Sequence, residues 1–391
     1  MINFTYYNPA KIIFGRGTEP ELAREIQKYG KKVLLHYGGG SIFQNGVYHK
    51  VTKALKEAGI SYIELGGVKP NPRLSLVREG VKLCREQGVD VLLAVGGGSV
   101  IDSAKAIAVG VPYQGDVWDF FAGKAQPQTA LPVVTVLTIP AAGSESSDSM
   151  VITNEEEQLK RGFSTELIIP KCSVLNPVNT FSLPNYQTAC GASDILAHLM
   201  ERFFTQVSHT DLTDRLIEAD FKTILNNAPW AIANNDDYNA RAEVMWAGSI
   251  AHNNLLNTGR IGDWGSHAIE HELSAQVDVA HGAGLAIVFP AWMKYVYQEN
   301  RDRFVQFAVR MFDVSISDAQ DIDGVIFEGI ARLERFYQSI GLPIRLSEIG
   351  IGEDVIGKLA DRCVCDKPDK TVGHFKKLTR DDVYEIYKLA L

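Results

Sequence analysis

Residues 89–110 read VDVLLAVGGGSVIDSAKAIAVG, and this stretch decides how the fold is read. Its first part, VDVLLAV (89–95), is short, apolar and rich in branched side chains, the pattern of a strand buried on both faces. Gly96-Gly97-Gly98-Ser99 ends that run. From Ser99 to Gly110 the apolar residues recur at helical spacing. A buried strand, a glycine turn and a helix in succession make half of a parallel βαβ unit.

The same grammar extends outward. KKVLLHY (31–37) is a strand pattern that runs into Gly38-Gly39-Gly40-Ser41 and a helix-like stretch reaching KALKEAG (53–59). ISYIEL (60–65) and PVVTVLTIP (132–140) are further strands, and SLVREGVKLCREQG (75–88) is a further helix. From about Leu183 the patterns become helical, over 183–206, 211–233, 240–257, 264–275, 302–312 and 323–340. The expected architecture is a Rossmann-like α/β domain with a parallel sheet over residues 1–183, followed by an all-α domain over 184–391.

Both glycine turns are candidate phosphate cradles. Glycine lets the backbone approach a ligand and take positive φ, and a following helix N-terminus favours an anion. Neither turn is G-x-G-x-x-G, so the common dinucleotide fingerprint is absent. The plain structural reading is two tight turns without a ligand. Asp102, one turn into the second helix, is either an ordinary first-turn acid or a contact to a nicotinamide ribose or carboxamide.

Asp194 and His198 lie i,i+4 in GASDILAHLME, as do His267 and His271 in GSHAIEHELSA, and His281 follows in DVAHGAGLA. Each pair shares a helix face, and one aspartate with several histidines suits a borderline divalent ion such as Fe²⁺ or Zn²⁺. Spacing leaves five candidate ligands and does not choose among them. Glu270 precedes the second histidine directly, so this is not a metalloprotease motif. Trp246, Trp264, Phe289 and Leu256 are pocket candidates whose plainer reading is helical core.

Composition narrows the partners. A net charge of -8 disfavours nucleic acid or an anionic membrane. The opening MINFTYYNPAKIIFG lacks a signal-peptide pattern, and no apolar run is long enough for a bilayer. Five scattered cysteines argue against a disulfide framework, so a cytoplasmic location is expected.

The chain resembles the iron-containing (group III) alcohol dehydrogenases, most of all their NADPH-dependent butanol dehydrogenase and aldehyde reductase branch. The resemblance spans YYNPAKIIFGRG, VDVLLAVGGGSVIDSAKAIA, GASDILAHLMERFF, DWGSHAIEHELSAQVDVAHGAGLAIVFPAW and GLPIRLSEIGI. It implies a dehydroquinate synthase-like two-domain architecture. It reduces the metal ligands to Asp194, His198, His267 and His281, and puts His271 beside the nicotinamide as a catalytic or orienting group. It assigns Gly96, Gly97, Gly98 and Ser99 to the pyrophosphate, Asp102 to the nicotinamide end and Thr138 to a cofactor contact. Gly38, Gly39, Gly40 and Ser41 carry no acid where NAD-preferring relatives often have one, and Lys160 matches a lysine of NADPH-dependent relatives. NADP is therefore expected over NAD, with a small alcohol or aldehyde as substrate and a homodimer as the assembly. Ala142 stands where some relatives have a hydroxyl-bearing residue. Another polyol dehydrogenase is one alternative on this scaffold, and a lyase of the dehydroquinate synthase group is the other. It would need cationic side chains for a sugar phosphate, and Arg202 and Arg260 are the main ones nearby.

Overall fold

Among the described residues eight strands form in chain order: β1 (Lys11–Phe14), β2 (Lys32–Tyr37), β3 (Ser61–Leu65), β4 (Val91–Gly97), β5 (Val133–Ile139), β6 (Ser149–Asn154), β7 (Leu159–Ser164) and β8 (Cys172–Leu175). The helices of this part are α1 (Pro20–Ile26), α2 (Ser41–Gln44), α3 (Val47–Glu57), α4 (Leu74–Gln87), α5 (Gly98–Gly110) and α6 (Trp118–Phe121). The computed structural model describes residues 1–318 and 321–391. Six strands make one sheet in the order β1-β8-β5-β4-β2-β3, and every pairing in it is parallel. β6 and β7 form a separate antiparallel pair.

Alternation along the central strands explains the two covered faces. Val91, Leu93 and Val95 of β4 pack with Val33 and Leu35 of β2 against α1 and α3. Leu92 and Ala94 pack with Leu34 on the other face, against Leu74 and Val77 of α4 and Ile101 and Ala104 of α5. His36 of β2 is buried and ties this face together, with Nδ1 2.7 Å from the Leu65 carbonyl and Nε2 2.8 Å from the Ser103 hydroxyl.

The remaining helices are α7 (Asn185–Phe203), α8 (Asp211–Ala233), α9 (Tyr238–His252), α10 (Gly265–Val277), α11 (His281–Val296), α12 (Arg301–Phe312), α13 (Ile322–Ser339), α14 (Glu353–Cys365) and α15 (Arg380–Leu389). α7 is buried from Thr188 to Phe203. α11 is buried from Gly282 to Met293, and it packs on α7, α10, α13 and α15.

The chain divides into two compact units. The sheet-bearing unit holds Tyr7–Pro184 and Asn234–Asn253, and the helical unit holds Met1–Tyr6, Asn185–Ala233 and Asn254–Leu391. The change of character near Leu183 thus falls beside a unit boundary. A strictly sequential division does not hold, because α9 packs with the sheet-bearing unit. There Ser249 bonds Glu145, and Ser149 lies 2.8 Å from His252 Nε2. The helix expected over 240–257 accordingly stops at His252, and Leu255–Asn257 is a separate short 3₁₀ turn.

Candidate active site

In the helical unit three helices bring the aspartate and histidines together. α7 carries Asp194 and His198 on one face, α10 carries His267 and His271, and His281 is the first residue of α11. His198 Nε2 lies 3.5 Å and His281 Nε2 3.8 Å from the same Asp194 Oδ1. One ligand atom each from Asp194, His267 and His281 falls within 4.8 Å of the others. The His198 and His267 ring centroids are 4.8 Å apart. His271 stands beside this group, its ring 5.6 Å from that of His281 and 6.5 Å from that of His267.

Two buried carboxylates hold the rings: Glu201, not singled out in the sequence, and Glu270, named there only against a protease motif. Glu201 Oε1 accepts both the His267 backbone N–H at 3.0 Å and the Nδ1–H at 2.7 Å. Its Oε2 accepts the Trp264 N–H at 2.5 Å. An ionised carboxylate accepts only, so the His267 proton sits on Nδ1 and Nε2 presents a lone pair. That Nε2 is buried and has no hydrogen-bond partner among the described residues. A buried imidazole nitrogen left this way is costly unless something binds it. One carboxylate with three imidazoles is a donor set that fits Fe²⁺ or Zn²⁺. Glu270 likewise faces His281 Nδ1 and accepts from the Ser274 hydroxyl. Glu270, His271 and His281 also bring one ligand atom each within 4.8 Å of one another.

Local packing makes these positions possible. A Cβ on Gly282 would lie 1.9 Å from the Cys190 carbonyl oxygen, so α11 approaches α7 only with glycine there. A Cβ on Gly284 would lie 2.6 Å from Glu270 Oε1. α10 starts from Trp264 in the left-handed region, φ 65°. Asp263 then accepts the N–H groups of Gly265, His374 and Phe375 at 2.7–2.9 Å. Burial, followed by the nearby Glu201 charge, lifts the Asp263 carboxyl to about 7. Of the pocket candidates only Trp264 borders the cluster, its ring 5.3 Å from that of His267. Phe289 and Leu256 are core, and Trp246 lies on α9 in the sheet-bearing unit. Arg260 is engaged with Asp214, the Arg202 carbonyl and the Thr210 carbonyl. Arg202 donates to the His198 carbonyl and lies over the Trp264 ring. The two cations that a phosphate-binding lyase would call on are thus committed elsewhere.

In the sheet-bearing unit, Gly96 and Gly97 end β4, and Gly98 and Ser99 begin α5. The expected positive φ is not found: none of Gly38, Gly39, Gly40, Gly96, Gly97 and Gly98 takes it. The second turn needs glycine for space. A Cβ on Gly96 would meet Val100 Cγ2 at 2.4 Å, and one on Gly97 would meet Ile139 Cβ at 2.9 Å. Gly98 would meet only Ala142 Cβ, at 3.5 Å. In the first turn, a Cβ on Gly39 or Gly40 would meet nothing within 4 Å, and Ser41 opens the short α2. Thr138 is the extra residue where the β4–β5 register slips, since Gly96 pairs with Leu137 and Gly97 with Ile139.

Asp102 is tied down. It accepts the Ser144 hydroxyl at 2.6 Å and the Val151 N–H at 2.9 Å. Burial raises its pKa, and Lys105, those two donors and Lys160 oppose the rise. Lys160 is buried in β7, so its charge lies near Asp102. Lys105, which the sequence reading passed over, is wholly buried on α5 and donates to the Ser147 and Ser149 carbonyls at 2.9 Å each. Burial lowers its ammonium pKa to about 8.

Residues 9–177 match the family model described as iron-containing alcohol dehydrogenase, and residues 188–391 match that of the C-terminal part of the same family. Probable NADH-dependent butanol dehydrogenase 1 of Bacillus subtilis is 46% identical over the full length of both chains. NADPH-dependent aldehyde reductase YqhD of Escherichia coli is 37% identical, again over the full length of both. The crystal structure of NADH-dependent butanol dehydrogenase A from Thermotoga maritima superposes with a TM-score of 0.95 at 44% identity, covering 99% of this chain and 98% of that one. The chain belongs to the iron-containing alcohol dehydrogenase family. It is an NAD(P)-dependent alcohol dehydrogenase.

Proposed function

We propose that the chain interconverts small primary alcohols and their aldehydes, with NADP preferred over NAD and one divalent ion held by Asp194, His198, His267 and His281. The observation that carries this reading is the buried Nε2 of His267, which has no hydrogen-bond partner among the described residues and lies beside Asp194, His281 and the His198 ring. When bound, the ion supplies a Lewis acid for a substrate oxygen, and the nicotinamide gives or takes the hydride. The turn at Gly96–Ser99 receives the pyrophosphate, with Gly98 leaving its backbone open to approach. Ser144 and the Val151 N–H hold Asp102 still at the nicotinamide end. Thr138 and Lys160 contact the cofactor. His271 holds or moves a proton at its imidazole, the side chain best suited in general to acid–base work near neutral pH.

NADP preference rests on the first turn, where Gly38, Gly39, Gly40 and Ser41 offer no carboxylate to repel a 2′-phosphate. The relatives carry both cofactors in their names, NADH for the butanol dehydrogenases and NADPH for the aldehyde reductase. A panel of aldehydes run with NADPH and NADH, on protein loaded separately with Fe²⁺ or Zn²⁺, tests the whole reading. Expected is a kcat/KM at least about tenfold higher with NADPH, worth roughly 1.4 kcal/mol. Preference for NADH would overturn the cofactor assignment. In the same assay, His271→Gln should lower kcat and flatten the pH profile near neutrality without changing metal content.

A homodimer is proposed from β1, an edge strand with Phe14 exposed. Light scattering reading the mass of one chain at micromolar concentration would reject it. A cytoplasmic location is proposed because none of the five cysteines is in a disulfide. No helix of the described residues is long and apolar enough to cross a membrane.

A further inference from the structure

We infer that Glu201 and Glu270 are positioning residues that set metal affinity by fixing the rings of His267 and His281. This rests on the ligand set proposed above. The geometry has a repeating logic. α7 carries ligand His198 and, three residues on, Glu201, which holds the histidine of α10. α10 carries His267 and, three residues on, Glu270, which faces the histidine of α11. Each helix thus contributes a ligand and the carboxylate that orients the ligand on the next helix. A carboxylate on Nδ1 fixes the tautomer, aims Nε2 and raises its basicity.

The two carboxylates are built in differently. Glu201 accepts three N–H groups with no donor of its own. It also caps α10, because Trp264 and His267 are the N-cap and third residues of that helix. A glutamine there must turn an NH₂ towards at least one N–H. Glu270 faces the His281 imidazole and accepts from the Ser274 hydroxyl, and that hydroxyl can accept as well as donate. Glu270→Gln can therefore keep both contacts while losing the charge. Gly284 supplies the space in which the Glu270 carboxylate lies.

The test is Co²⁺ binding to metal-stripped full-length protein, followed by chelator competition and by the visible absorption of the bound ion. Wild type, His267→Ala, Glu201→Gln and Glu270→Gln are compared, with far-UV circular dichroism and NADPH fluorescence titration as controls on the fold. Expected are a Co²⁺ Kd raised about 10–100-fold in Glu270→Gln, a larger rise in Glu201→Gln, an altered visible band in both and unchanged NADPH binding. Should Glu201→Gln fail to fold, Glu270→Gln decides alone. Wild-type affinity and an unchanged band in the glutamine variants, with binding lost in His267→Ala, would overturn the inference and leave the ligand set standing. Wild-type affinity in His267→Ala would instead overturn the ligand set. A second Co²⁺ per chain that vanishes in Glu270→Gln would overturn the inference by making Glu270 a ligand.

Discussion

At the scale of single residues, the helical unit holds a carboxyl in an unusual state. Asp220 on α8 is about nine-tenths buried, and its Oδ2 has no hydrogen-bond partner among the described residues. Burial alone pushes its pKa up to about 8. The folded state therefore keeps a proton that the unfolded chain releases near pH 4. The stability this contributes is complete below about pH 4 and is lost as the pH rises towards 8. Asp220→Asn mimics the neutral form. It should raise the unfolding temperature at pH 8 by about 3 °C or more and leave it nearly unchanged at pH 4. Equal midpoints for the two proteins at pH 8 would show that the carboxyl is ionised without penalty. His36 behaves in the opposite sense. Its pKa falls to about 4 through burial, so it stays neutral in the fold and weakens the structure as the pH drops from about 6.5 to 4.

At the scale of elements, the glycine turn after β4 separates two demands that one motif usually confuses. Gly96→Ala drives a Cβ into Val100 in the first turn of α5, which should destabilise the protein by about 1–3 kcal/mol. Gly98→Ala meets only an ordinary contact with Ala142. It should leave the urea midpoint unchanged while weakening NADPH binding by about tenfold, because only the approach of the ligand is obstructed. Undiminished NADPH affinity in Gly98→Ala would remove the pyrophosphate from this turn. The elements differ in how far the amino-acid order discloses them. β2, β4 and β5 are continuous apolar runs and declare themselves. β1 and β8 are four residues each, too short for a pattern. β7, LKRGFS, is largely polar and half exposed. α11 is apolar on every side and contains Pro290 and two glycines, so it has no stripe to read. The histidines were legible because i,i+4 spacing is local. Glu201 and Glu270 were not, because their partners come from the next helix and only packing brings them together.

At the scale of the whole molecule, the two units answer to different ligands. Metal should stabilise the helical unit and NADPH the sheet-bearing unit, each in proportion to RT ln(1 + [L]/Kd). Stripping the metal with a chelator should therefore lower protection of amide hydrogens in α7, α10 and the start of α11, and leave β2, β4 and β5 as protected as before. Saturating NADPH should do the converse. Hydrogen exchange read by mass spectrometry separates the two, and equal loss in both units on chelation would contradict independent loading. The chain passes between the units after Tyr6, Pro184, Ala233 and Asn253. During synthesis, then, the sheet can pair as soon as β8 emerges, but the surface that α9 covers must wait for some seventy further residues. Until His252 arrives, Glu145 and Ser149 lack their side-chain partners on α9. The opening residues wait longer, since Ile2 bonds the Gly259 carbonyl. A nascent chain of this protein thus holds two unfinished bodies at once, and vectorial translation cannot complete the first before beginning the second.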